Sequence, residues 1–206
     1  MKKDNSDIII NYLESIPDYL ILDDLNSIKE TGVNLKINKR ENSIWAAIEW
    51  TIPTAIAAYI LKPYFETFLK EAGKQHYKVL TKKLKTLLEK GKLFNFRTIT
   101  ASQSTDKISK SYTQSKTISL LIETRNGRFI KLLFDDELEI DDWENAIDQL
   151  FNFIIENYET PKSNKLDEIT KSYDEKIHRN YYAIINKKTK NIEIFDEKGM
   201  INRINR

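Results

Sequence analysis

No cysteine occurs in this chain of 206 residues. That absence removes structural disulfides, thiolate zinc sites and cysteine nucleophiles together. Glycine is nearly as scarce, with five residues, and histidine is limited to two. So few glycines leave little room for a phosphate-cradling loop, and neither a Ser-centred elbow nor a His-rich metal pair is present. Long apolar runs are missing too: the longest stretch without a charge, Trp50 to Leu61, falls short of the about 20 residues a membrane span needs.

What is present in quantity is charge. Acids and bases make up 31% of the chain and apolar residues 40%, the balance of a folded domain rather than a disordered one. The length allows a substantial core. The net charge of +2 conceals a segregation by sign. Lys70, Lys74, Lys78, Lys82, Lys83, Lys85, Lys90 and Lys92 crowd one segment. Asp135 to Glu159 contains acids and no base. The simplest reading places these segments against each other in the fold; the sharper one makes them two recognition surfaces. The start, MKKDNSDIIINYLE, is broken by acids and too short in apolar length for a secretory h-region, so a cytoplasmic location is expected.

Periodicity sets out the elements. Asp7 to Glu14 reads as a strand, Ile21, Leu25 and Ile28 as a helix stopped at Gly32, and Val33, Leu35 and Ile37 as a second strand. Residues 62 to 92 give two helical pieces divided at Gly73; the second places Tyr77, Leu80, Leu84, Leu87 and Leu88 on one face and stops at Gly91. The polar run 98–117 is expected as a solvated loop or a pair of polar edge strands. Then KTISLLIETRNGRFIKLLFDD signals a hairpin. A three-residue loop with Gly127 left-handed pairs Ile118 with Phe134, Leu120 with Leu132 and Ile122 with Ile130, keeping one face apolar. Asp141 and Glu144 suggest a capping box for a helix carrying the stripe Trp143, Ala146, Ile147, Leu150, Phe151, Ile154, Ile155 and Tyr158. That helix should lie on the hairpin. A shorter helix at Leu166 to Ile177, a closing hairpin at 180–196 and a frayed tail complete the expectation. The fold class is α+β: a mostly antiparallel sheet with hairpins, packed by an amphipathic helix. It is organised as a single domain, 1–206, with a helical module at 44–92, a polar segment at 93–117 and a hairpin-helix-hairpin core at 118–196.

The apolar segment SIWAAIEWTIPTAIAAYILKPYF is the most distinctive. Ile44, Ile48, Ile52, Ile56 and Ile60 recur every four residues among small alanines, which on a helix makes a stripe that another helix can approach closely. Pro53 should kink that helix near Thr51. As a lone membrane span it fails, because one central glutamate costs roughly 2.5 to 3.5 kcal/mol and each Ile or Leu contributes only about 0.3 to 0.6.

Chemistry is hard to find. His76 and His178 read as surface or capping residues, DDELEIDD lacks the glycine and spacing of a calcium loop, and YDEK and FDEK only faintly suggest metal-dependent nuclease clusters. No catalytic, cofactor-binding or metal-ligating residue is assigned, and no cofactor. The leading expectation is a non-catalytic interaction protein, an immunity-type or accessory subunit, that binds another protein or itself. Its anchors would be Trp45, Trp50, Ile52, Ile56, Tyr59, Tyr64 and Phe65, with a basic surface of Lys78, Lys82, Lys83 and Lys85. Two alternatives stand beside it. One is a peripheral membrane effector inserting a 44–72 helix; the other is a nucleic-acid-binding or nuclease-like protein using the lysine helix, although arginine, the usual reader of bases, is scarce there.

Overall fold

The computed structural model describes residues 6–41, 51, 53–71, 73–93, 113–160, 166 and 180–204. Seven strands form one sheet: β1 (Ile8–Leu13), β2 (Leu35–Arg40), β3 (Ile56–Ile60), β4 (Gln114–Glu123), β5 (Phe129–Asp135), β6 (Asn180–Ile185) and β7 (Ile192–Phe195). Their order is β2-β1-β3-β4-β5-β6-β7. The α+β class is as expected, but the sheet is mixed rather than mostly antiparallel. Parallel pairs β1/β2, β3/β4 and β5/β6 alternate with antiparallel pairs β1/β3, β4/β5 and β6/β7. Each parallel pair requires a crossover. Those crossovers carry α1 (Leu22–Lys29), then α2 (Lys62–Glu71) with α3 (Gly73–Leu93), then α4 (Ile140–Glu159).

The crossover helices share one face of the sheet, α1 against α3 and α3 against α4. Ile8, Ile10, Ile56, Ile60, Ile118, Ile122, Ile130, Leu132 and Phe134 point into this layer from the strands, and Leu25, Ile28, Leu84, Leu87, Trp143, Leu150 and Ile154 meet them from the helices. The α4 stripe was legible from its spacing, and the helix does cross the hairpin: Trp143 packs on Phe134 with ring centroids 4.9 Å apart. The expected capping box is absent. The helix begins two residues earlier, Glu139 occupies the cap without a side-chain bond, and Asp141 and Asp142 lie in the first turn, where the helix dipole favours them. A last helix, α5 (Glu197–Ile204), replaces the expected frayed tail: Met200 is buried on the sheet's second face with Leu133, Tyr182 and Ile184. Asp196 of the FDEK motif caps this helix, accepting from Gly199 N–H at 2.6 Å.

Over 56–60 the isoleucine ladder is strand, not helix, so among the described residues of 44–92 the α-helices are α2 and α3. β3 is an inner strand between β1 and β4, with Ile56, Ala57, Ala58 and Ile60 all buried. A 44–72 helix poised for insertion is therefore not what this segment forms, and among the described residues no helix is long and apolar enough to cross a membrane. Ile44, Ile48, Trp45, Trp50 and Ile52, like the expected helix beyond Leu166, lie outside the described residues. The polar run also needs correcting at its end: Gln114 to Thr117 belong to β4, in the middle of the sheet, with Ser115 and Thr117 buried. α3 runs past Gly91 to Leu93.

The β4/β5 hairpin has the expected register, Leu120 opposite Leu132 and Ile122 opposite Ile130. Thr124 closes the loop: its N–H donates to the Arg128 carbonyl at 2.7 Å, and Gly127 N–H returns to the Thr124 carbonyl. Gly127 has φ +81° with open space around its Cα, so Gly127→Ala tests backbone strain alone. It is expected to lower stability by about 1 kcal/mol, measured by urea titration; no loss would place the turn's specification elsewhere.

Candidate functional site

The structure divides the proposed anchor residues. Ile56, Tyr64 and Phe65 are core, at most 3% exposed, and Phe65 lies flat on Tyr158 at 4.9 Å. A partner could reach them only by opening the domain. Tyr59 is different: it stands half-buried on the second face, edge-on to Phe129 at 6.1 Å. Trp45, Trp50 and Ile52 lie outside the described residues.

The basic segment meets the acidic one. Lys85 reaches both Asp148 at 3.0 Å and Glu144 at 3.4 Å, joining α3 to α4. These carboxylates hold its ammonium above the ordinary lysine range even though burial pulls the other way. Lys90 pairs with Asp24 at 2.5 Å and Lys83 stands 3.9 Å from the same carboxylate, tying α3 to α1. Lys187 bridges Asp135 and Glu137, and Lys190 meets Asp142. Much of the charge segregation is thus internal complementarity. Lys78 and Lys82 are left out of it: both are exposed and have no ion-pair partner among the described residues. With Tyr77, Thr81, Lys85, Asp148 and Asn152 they line an open groove of about 520 Å³ between α3 and α4.

A second cluster escaped the sequence reading. The sheet's second face, opposite the crossover helices, is covered by α5 at the β6–β7 end. Towards β2 it carries half-buried Ile9, Asn11, Leu13, Asn38, Arg40 and Tyr59. An Nη of Arg40 donates to the Thr54 carbonyl at 2.7 Å, while its Nε is buried without an acceptor among the described residues. Thr54 Oγ lies 2.7 Å from Ser119 Oγ. Lys131, between Leu121 of β4 and Tyr182 of β6, is 6% exposed on this face. Burial first, and the Arg40 charge second, push its ammonium down to about 8. Burial likewise lowers Arg40, against the pull of Tyr59. The available signal was Lys131's own face: its i−2 and i+2 neighbours, Phe129 and Leu133, are apolar, as they would not be on a solvated face.

Among the described residues no group of acids and histidines is placed to hold a metal ion. His76 lies on α3, and His178 and YDEK are outside the described residues. Comparison with known proteins finds no matching family model, curated protein or solved structure. The function must be argued from these surfaces.

Proposed function

We propose that the chain is a non-catalytic binding protein that engages a partner protein through the second face of its sheet, around Tyr59 and Arg40. The observation that carries this reading is the Arg40 guanidinium, held by the Thr54 carbonyl yet with its buried Nε lacking an acceptor. Beside it stands a half-buried aromatic pair, Tyr59 and Phe129. Arginine and tyrosine are the side chains that dominate association energies, and a half-buried guanidinium suits a carboxylate on the incoming chain. The large carboxylate inventory supports a binding role over hydrolysis, because Asp24, Asp135, Asp142, Glu144 and Asp148 are each engaged by a lysine.

A photoreactive side chain at Tyr59 tests this directly. It is expected to capture one discrete partner in cells that make the protein, whereas the same group at Tyr19, 75% exposed in the turn after β1, captures none. Arg40→Glu should reduce the Tyr59 yield about tenfold, with melting of the variant checked so that unfolding is not mistaken for lost binding. Equal capture from both positions, or capture indifferent to Arg40→Glu in a folded variant, refutes the assignment. A product of twice the chain mass would identify the partner as a second copy.

A further inference from the structure

We infer that the groove between α3 and α4 binds a phosphate group of a small molecule, held by Lys78 and Lys82. This site is separate from the surface around Tyr59 and does not rest on it. Lys78 and Lys82 are one helical turn apart on α3 and project from the same face. Lys85 continues the row, but its charge is offset by Asp148 and Glu144, which leaves the two preceding lysines to face the groove. Among the described residues the two preceding lysines have no carboxylate partner, although acids are abundant on the facing helix. Exposed lysines on a convex helix would be ordinary solvated charge. These instead border the open groove of about 520 Å³ between α3 and α4.

The rest of the lining fits the same ligand class. Asp148, the acid in the groove, is neutralised locally, with Lys85 at 3.0 Å and Tyr77 as a further partner. It therefore subtracts little from the field of Lys78 and Lys82. Asn152 adds an amide at the rim, and Tyr77 is seated on Phe151 at 5.4 Å, which gives the groove a firm aromatic end. Thr81 contributes shape rather than a donor, because its hydroxyl is committed to the Tyr77 carbonyl at 2.8 Å. Lysines act on phosphate as mobile point charges and require no bidentate geometry. A row of them without arginine favours a terminal phosphate or diphosphate over the reading of base edges. Lys83, the fourth residue of the basic surface, faces α1 instead, towards Asp24.

Inorganic pyrophosphate is the probe, titrated into the full chain at constant ionic strength and followed by phosphorus NMR and calorimetry. Saturable binding is expected, weakened about tenfold or more in Lys78→Gln/Lys82→Gln. Both residues are exposed and, among the described residues, unpaired, so the double variant should melt with the native protein; Lys82→Gln alone, with an intermediate loss, serves if it does not. A second arm uses a single-stranded oligonucleotide, which presents the same phosphate chemistry as a polymer. Absence of saturable pyrophosphate binding, binding that the double variant retains, or lysine-dependent binding of the oligonucleotide alone would each overturn the assignment.

Discussion

Trp143→Ala is expected to destabilise the protein by about 3 to 5 kcal/mol, enough to consume a large part of a domain's ordinary stability. Several losses coincide at this position. The indole is fully buried and packs on Phe134 at 4.9 Å. Its Nε1–H donates to the Asp135 carbonyl at 2.8 Å, at the end of β5, and the Lys92 ammonium lies 5.0 Å from the ring. Lys92 also donates to the Leu138 carbonyl. One side chain therefore secures the turn between β5 and α4 and anchors the end of α3 to it. Truncation leaves a cavity and removes one of the two hydrogen bonds to the Asp135 carbonyl, the other coming from Leu138 N–H at 3.0 Å. Trp143→Phe keeps most of the packing and loses the hydrogen bond, so it should fall between the two. Urea titration of the three proteins is the check. A loss below about 1.5 kcal/mol for the alanine variant would mean that α4 is not the main cover of the hairpin.

That contact was legible because it follows from two independent periodicities. The hairpin's apolar face alternates at period 2, and the α4 stripe repeats at 3.6, so each declares which side it buries. β3 offered no such contrast. An inner strand covered on both faces carries apolar residues at consecutive positions, as Ile56 to Ala58 do, and alternation disappears. Isoleucines four apart also satisfy both periods, because four is a multiple of two and close to one helical turn. The parallel pairings were illegible for another reason: nothing local in Leu35–Arg40 or Asn180–Ile185 states which strand lies alongside. The Asp135 surroundings explain the misjudged polar run. Thr113 Oγ and Gln114 Nε2 donate to its carboxylate at 2.6 and 3.3 Å, while Lys187 reaches it at 3.1 Å, so the polar residues that enter the middle of the sheet find partners there, Gln114 Oε1 excepted.

The candidate surfaces were half legible on the same grounds. Lysine spacing along α3 identified Lys78, Lys82 and Lys85 as neighbours, but which of them an acid would neutralise depended on how α4 packs. Tyr59 was singled out for aromaticity within a supposed helix; its place beside Arg40 arises instead from β1 lying between β2 and β3. Sequence distance hides such a meeting, whereas sheet order creates it.

Lys131 should govern the pH dependence of stability on the alkaline side of neutrality. Its ammonium titrates near 8 in the folded protein against 10.5 for an ordinary lysine. Below about pH 8 both states hold the proton, and the fold bears the full cost of a cation buried between Leu121 and Tyr182 and near Arg40. Between these values the folded state has released its proton while the unfolded chain has not. The unfolded state then binds more protons, and stability rises with pH, by up to about 3 kcal/mol if the whole interval is traversed. The gain is cut short near pH 10. Burial raises Tyr64 and Tyr158 strongly, and Tyr77 and Tyr182 to about 12, so these phenols ionise first in the unfolded chain and favour it. Urea midpoints should therefore climb from about pH 7.5 to about 9.5 and then fall. Lys131→Met keeps the stem's packing and removes the charge. It is expected to be more stable than the native protein at neutral pH by about 2 kcal/mol and to lose the alkaline rise. A native profile flat across that interval, or a methionine variant less stable at neutral pH, would show that the ammonium is compensated where it lies.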